Sequence, residues 1–162
     1  MDLPDAAPSA HERLTWEHID RLATALAARL PRDYDALLAI ARGGLIPAGL
    51  LCQHMDIRDI LVAAVMYYTA PGETLDAPVF LQFPEDHLLV GKRILVVDDV
   101  WDSGRTISAV RSRLQRVPCH FDIATLHYKP HRSNVEGRPD YYAEERNDWI
   151  VYPWDPAADG PS

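Results

Sequence analysis

Two short stretches of this chain gather side chains and backbone suited to holding anions and hydroxyl groups. The first runs from Ile94 to Thr106, Ile-Leu-Val-Val-Asp-Asp-Val-Trp-Asp-Ser-Gly-Arg-Thr. In it the adjacent carboxylates Asp98 and Asp99 follow an apolar run and precede a loop of Asp102, Ser103, Gly104, Arg105 and Thr106. Small hydroxyl residues and a glycine ahead of a helical pattern make a phosphate cradle, because the first N–H groups of a helix lack intrahelical acceptors and carry partial positive charge. Ionised carboxylates only accept hydrogen bonds and favour hard cations. Asp98 and Asp99 beside a phosphate therefore call for a ligand bearing hydroxyls, or for a divalent metal. A ribose 5-phosphate meets the requirement, with its phosphate on Ser103 to Thr106 and its hydroxyls on the two carboxylates. The second stretch is Arg42-Gly43-Gly44. Consecutive glycines let backbone N–H groups come close to a ligand, and Arg42 adds a fork of donors matched to phosphate oxygens, so a second anion site is expected here.

Both stretches end buried strands. Ile94 to Val97, after the turn-like Gly91-Lys92-Arg93, and Ala36 to Ala41 are unbroken apolar runs, the pattern of parallel strands covered on both faces. Ile107, Val110 and Leu114 predict a helix after the first loop, and Ile46, Leu50 and Leu51 one after the second. Thr15 is placed to cap a helix through Leu30, in which Trp16, Ile19, Leu22, Leu26 and Leu30 recur at helical spacing before Pro31. Ile60 to Tyr68 reads as a third strand and Phe121 to Tyr128 as a fourth. Between them Pro71, Pro78 and Pro84 surround a short apolar run, Val79 to Phe83, which predicts a hairpin folding over the site. The fold class is α/β: a doubly wound, mostly parallel sheet. One domain of residues 1–162 is expected, with a core of about 15–128 and a small cap of about 129–158 joined by 1–14, of which 1–13 have a poorly ordering composition. In the cap an aromatic tail includes Trp149, Ile150 and Trp154, with Glu144-Glu145-Arg146 as a charged turn.

Composition narrows the partners. With 24 Asp and Glu against 16 Lys and Arg the net charge is −8, which opposes binding to nucleic acid or to an anionic membrane. Cys52 and Cys119 lack metal-ligand spacing and fit a reducing cytoplasm, and no apolar run approaches the roughly 20 residues that span a bilayer. His120, His127 and His131 read as ordinary histidines, Arg111, Arg113 and Arg116 as a solvated helix face, and Asp155 as a surface carboxylate more than a second metal ligand.

The Ile94–Thr106 string resembles the phosphoribosyl pyrophosphate (PRPP) motif of the type I phosphoribosyltransferases: apolar strand, Asp-Asp, three residues, then Ser-Gly-x-Thr. Arg42-Gly43-Gly44 resembles the family's pyrophosphate loop, in which the peptide bond before the Arg is commonly cis. Lys129-Pro130 and Trp149-Ile150 ahead of Trp154-Asp155 are similar to the tail of the short bacterial xanthine-guanine and hypoxanthine branch. The resemblance implies PRPP and a 6-oxopurine as substrates, Mg2+ held with Asp98 and Asp99, a role in purine salvage, a flexible loop over 69–86 with Tyr68 at its start, and a homodimer or homotetramer. The Ser that usually precedes that Tyr is absent, and Val151 stands where a polar residue often follows the Trp-Ile pair. Trp149 offers a base a stacking face, and the resemblance implies that the Ile150 carbonyl reads the 2-position. Lys129, with donors only, favours a 6-oxo group over the 6-amino group of adenine. Asp102, at the loop mouth, is the candidate acceptor for the purine N7 proton, with Lys129 stabilising charge on O6. The rival reading is a PRPP-sensing regulator of nucleotide-synthesis genes, which the acidic balance and the lack of a helix-turn-helix or basic arm oppose.

Overall fold

The computed structural model describes residues 13–68 and 77–156. Helix α1 (Trp16–Arg29) begins at Thr15, whose Oγ1 accepts the His18 N–H at 3.1 Å, and it buries Ile19, Ala23, Leu26 and Ala27. It stops at Leu30, in extended conformation, because the residue before a proline is pushed out of the helical region. Strand β1 (Ala36–Ala41) follows, then α2 (Leu45–Met55), β2 (Ile60–Tyr68), β3 (Ala77–Gln82), β4 (Arg93–Trp101), α3 (Arg105–Leu114), β5 (His120–Tyr128) and β6 (Tyr141–Glu145).

The six strands form one sheet in the order β3-β2-β1-β4-β5-β6, and every pair is parallel except β2 with β3. Side chains alternate between two cores. Leu37, Ala39, Leu95, Val97 and Leu126 point to the face covered by α1 and α2, while Leu38, Ile40, Ile94, Val96 and Ile123 point to that covered by α3. The expected doubly wound architecture is therefore present. Its decisive feature is the reversal of strand order: the chain leaves β1 toward β2 and returns on the other side of β1 at β4. The crevice beyond the carboxyl ends of β1 and β4 is the switch point at which such sheets bind ligands.

Several expectations are corrected. Strand β4 continues past Val97 through both carboxylates to Trp101, because Asp98, Val100 and Trp101 keep pairing with Thr125, His127 and Tyr128 of β5 and Trp101 is fully buried. Glu144 and Glu145 are not a turn. They lie in β6, whose backbone groups are satisfied by β5 while Tyr141 and Ala143 pack on the core. The run after Pro78 forms the hairpin arm expected, as a strand of the sheet antiparallel to β2. Residues 77–82 are the sheet's edge strand, with Val65 opposite Phe80 and Tyr67 opposite Pro78, a position where proline's missing donor is tolerated. Of the loop expected over 69–86, residues 69–76 lie outside the described residues, 77–82 form β3 and Asp86–Leu88 make a short 3-10 turn. Arg111 and Arg113 are not simply solvated: one donates to the Glu136 carbonyl at 2.8 Å and lies over Trp101, the other pairs with Asp86 at 2.7 Å and lies over Phe83.

The N-terminal segment is tied to the tail. Arg13 bridges Val151, the Leu14 N–H donates to the Val151 carbonyl at 2.9 Å, and the Arg13 guanidinium donates to the carbonyls of Tyr152 and Asp155. Residues 1–12 lie outside the described residues. No helix among the described residues is long and apolar enough to cross a membrane.

Candidate active site

The two turns expected to hold anions meet at the switch point. The first follows β4, where Gly104 takes φ +81 and opens α3. A Cβ there would collide with the Trp101 indole and the Val135 side chain, so glycine is required both by conformation and by the close approach. The Trp101 indole is fixed in turn by donating to Ser133 Oγ at 3.1 Å. Ser103, Gly104, Arg105 and Thr106 line a small cavity of about 100 Å³ together with Asp98 and Asp102.

The second turn follows β1. The Ala41–Arg42 peptide bond is cis, as the resemblance implies. Arg42 is exposed and Gly44 is buried, with a Cβ on Gly44 forbidden by the carbonyls of Ile40 and Val97. Arg42 and Gly43 line a cavity of about 420 Å³ with Asp98, Asp99, Thr106, Trp154 and Asp155. Asp98 and Thr106 belong to both cavities, so the Ser103–Thr106 loop and the Arg42 turn face a shared space.

Between them stand the carboxylates. Asp98 Oδ1 accepts the Asp99 N–H at 2.9 Å and Asp99 Oδ1 accepts the Val100 N–H at 2.7 Å. Burial, reinforced by the charge of Asp99, holds Asp98 well above the usual carboxylate range. Burial also lifts Asp99, to about 6, against the hydrogen bonds it accepts. Two carboxylates in this condition are short of positive charge. Oxygen donors suit a hard cation such as magnesium, and among the described residues no group of three or more His, Cys, Asp or Glu could cage a metal. The donor set thus fits an ion held by one or two carboxylates, with substrate oxygens and water completing its shell. Asp155 is not the surface carboxylate expected: its Oδ2 accepts the Tyr152 N–H at 2.8 Å and it lines the cavity near Asp99.

Lys129 continues from β5, its N–H donating to the Trp101 carbonyl at 2.9 Å, and the residue is buried. Its Nζ lies 5.8 Å from the centre of the Trp149 ring and donates to Asp102 Oδ2 at 3.1 Å. Trp149 is 62% exposed, an open aromatic face, and Ile150 behind it is buried. Burial draws the Asp102 carboxyl upward, but hydrogen bonds from Arg132 and Lys129 outweigh it and leave Asp102 below the usual range. Arg132, whose Nε donates to Asp102 Oδ1 at 2.6 Å, was not foreseen, because nothing in an arginine of a polar turn marks its partner. Tyr68 closes β2, paired with Ala77.

Behind the carboxylates lies a buried polar chain that the sequence did not signal. His127, expected as an ordinary partly buried or surface histidine, is fully buried. Its Nδ1 is 2.7 Å from the Tyr152 hydroxyl and its Nε2 is 3.2 Å from Glu144, while the Tyr152 hydroxyl lies 3.2 Å from the Asp99 carbonyl. A further cavity of about 420 Å³, between α3 and the β2–β3 hairpin, is lined by Tyr67, Phe80, Arg113 and Arg116 and touches none of the carboxylates.

An apolar strand ending in paired carboxylates, with a glycine-opened helix after it and a second glycine turn at the same switch point, is the arrangement of an α/β protein whose ligand site lies beyond the ends of β1 and β4. The phosphoribosyl transferase domain profile matches residues 11–160, and the chain belongs to that family. It is 35% identical over 161 residues to a xanthine-guanine phosphoribosyltransferase of Cereibacter sphaeroides, covering 91% of this chain and 90% of that one. It is 33% identical over 174 residues to one from Roseobacter denitrificans, covering 97% and 94%. The crystal structure of a purine phosphoribosyltransferase from Pyrococcus horikoshii superposes with a TM-score of 0.80 at 32% identity, covering 95% of this chain and 100% of that chain.

Proposed function

We propose that this protein transfers the 5-phosphoribosyl group of PRPP to N9 of a 6-oxopurine, releasing pyrophosphate, in purine salvage. The observation that carries the reading is the meeting of two anion-holding turns, at the ends of β1 and β4, around one pair of carboxylates. In this reading the 5-phosphate sits on Ser103, Gly104, Arg105 and Thr106, and the pyrophosphate on Arg42, Gly43 and Gly44. Asp98 and Asp99 take the ribose hydroxyls and would hold magnesium, whose charge offsets that growing on the departing pyrophosphate.

The base enters opposite. Its ring stacks on Trp149, Lys129 donates to O6, and the Ile150 carbonyl faces the 2-position. As the C1–O bond lengthens, the nearby carboxylates stabilise positive charge on the ribose while Arg42 and the glycine N–H groups hold the leaving group. N9 attacks C1 with inversion, and Asp102 accepts the N7 proton. Tyr68 and the loop it begins close over PRPP and exclude the water that would hydrolyse the reactive sugar.

The segment of about 129–158, joined by the N-terminal residues through the Arg13–Val151 bridge, serves as the hood that carries the base site. The protein works in the cytoplasm as a homodimer or homotetramer. Exposed Ile60, Met66, Val79 and Leu81 on the edge hairpin give such association an apolar surface.

Pyrophosphate release from PRPP and Mg2+ with hypoxanthine, guanine, xanthine or adenine tests the reading. The 6-oxopurines are expected to support turnover and adenine not. Equal use of adenine would remove Lys129 from base selection, and PRPP binding without turnover for any base would favour a PRPP-sensing regulator.

A further inference from the structure

The reaction proposed above gives Arg132 no part, yet Arg132 makes the shorter of the two ion pairs on Asp102. Its Nε donates to Oδ1 at 2.6 Å while Lys129 Nζ donates to Oδ2 at 3.1 Å, so each carboxylate oxygen carries one cation. The two cations stand in different surroundings. The Lys129 side chain is 4% exposed and lies over Trp149, whereas the Arg132 side chain is 57% exposed and reaches Asp102 from the solvent side of a turn in which its N–H donates to the Lys129 carbonyl at 3.1 Å.

Only the Lys129 ammonium is placed to meet the exocyclic oxygen of a base stacked on Trp149. A purine O6 that draws on the Lys129 ammonium therefore shares its charge with Asp102 and weakens that ion pair. A half-buried carboxylate that loses one of two cations swings toward water or takes up a proton, and a protonated carboxyl cannot accept another from N7. Arg132 removes the difficulty. A guanidinium stays charged at any working pH, and its planar Nε–H anchors one oxygen while leaving the other to face the base.

We propose that Arg132 is a positioning residue: it keeps Asp102 aimed and ionised while Lys129 is turned over to the purine oxygen. The inference rests on the reading of Asp102 as proton acceptor and Lys129 as the group that meets O6.

The test uses the full chain in a PRPP- and base-dependent turnover assay, with Arg132→Ala, Arg132→Lys, Asp102→Asn and the double variant. Arg132→Ala is expected to lower kcat roughly tenfold or more while the KM for PRPP stays within about twofold. The melting temperature should hold, because the side chain is mostly exposed. Arg132→Lys should regain part of the rate, and Arg132→Ala should add nothing in the Asp102→Asn background, as expected of a residue that acts through the carboxylate.

Turnover by Arg132→Ala within about twofold of the parent, with Asp102→Asn impaired, would overturn the inference and leave the site reading intact. So would a further loss in the double variant, or a fall in melting temperature that tracks the fall in rate and is not recovered by Lys. An unimpaired Asp102→Asn instead removes the proton acceptor itself, a failure of the site reading that is visible before any Arg132 variant is measured.

Discussion

The Gly43 backbone runs so close to Asp99 that a Cβ at position 43 would overlap all three atoms of the Asp99 carboxylate group. The turn after β1 and the end of β4 are thus packed to contact, and the glycine is what lets them touch.

Replacing Gly43 by Ala should displace the Asp99 carboxylate more than it disturbs the fold, because the atoms that must give way are the end of a side chain and not backbone. The expected outcome is a stability loss of about 1 kcal/mol and a rise in the KM for PRPP of roughly tenfold or more. Melting curves and PRPP saturation curves on the same preparation check it. Unchanged PRPP kinetics would mean that Asp99 need not stand where the structure places it.

Asp98 and Asp99 set one arm of the pH dependence of the free protein. Burial, with the other carboxylate's charge added at Asp98, raises both above the 3.8 of an unfolded aspartate, Asp99 to about 6. Between those values the folded chain retains protons that the unfolded chain releases, so this pair's contribution to stability is full at low pH and is lost as pH rises through the window. Asp99→Asn should therefore raise the melting temperature of the ligand-free protein at neutral pH by roughly 2–4 °C while abolishing turnover. PRPP with Mg2+ should stabilise the parent and not the variant. A variant that melts lower than its parent would show that the carboxylate is already compensated.

His127 sets the opposite arm. Burial, opposed by Glu144, depresses the imidazole from 6.5 to about 4. The unfolded chain then binds a proton in that interval which the folded chain refuses, so stability is present above about 6.5 and falls as pH drops toward about 4. His127→Gln should flatten this arm in urea titrations across the interval while Asp99→Asn flattens the other. An unaltered slope in His127→Gln would place the titration elsewhere.

Lys129→Ala should act on the base and spare PRPP. Losing a charged donor to O6 is expected to raise the KM for 6-oxopurines roughly ten- to a hundredfold and narrow the margin over adenine, with the KM for PRPP nearly constant. The Asp102 carboxylate keeps Arg132 in the variant, so the melting temperature should change little. A base panel measured on parent and variant decides it, and an unaltered profile would mean that the ammonium serves only Asp102.

Much of the architecture could be read along the chain. Ala36–Ile40 and Ile94–Val97 are buried on both faces, which leaves an apolar run with no alternation, and such a run is visible without any partner. The Thr15 cap is equally local, since its bond spans three residues. Strand β6 was hidden because an edge strand is half-covered: Glu144 and Glu145 sit in it without an apolar signature, and their pairing depends on β5. The run after Pro78 was legible as apolar, but not its direction, since only the register against β2 makes it an edge strand. Asp155 looked like a surface carboxylate because the Tyr152 N–H that turns it inward lies in a tail without regular pattern.

Residue types and their order along the chain were enough to mark the two glycine turns, the strands that deliver them and the family they resemble, because caps, glycine turns and apolar periodicity are written over a few neighbouring positions. The tertiary structure alone decided that Gly43 touches Asp99, that Arg132 shares Asp102 with Lys129, and that His127 stands buried behind the site. Each of those contacts joins segments some twenty-five or more positions apart, and a separation of that kind is closed by sheet order and helix packing, which no single stretch of sequence encodes.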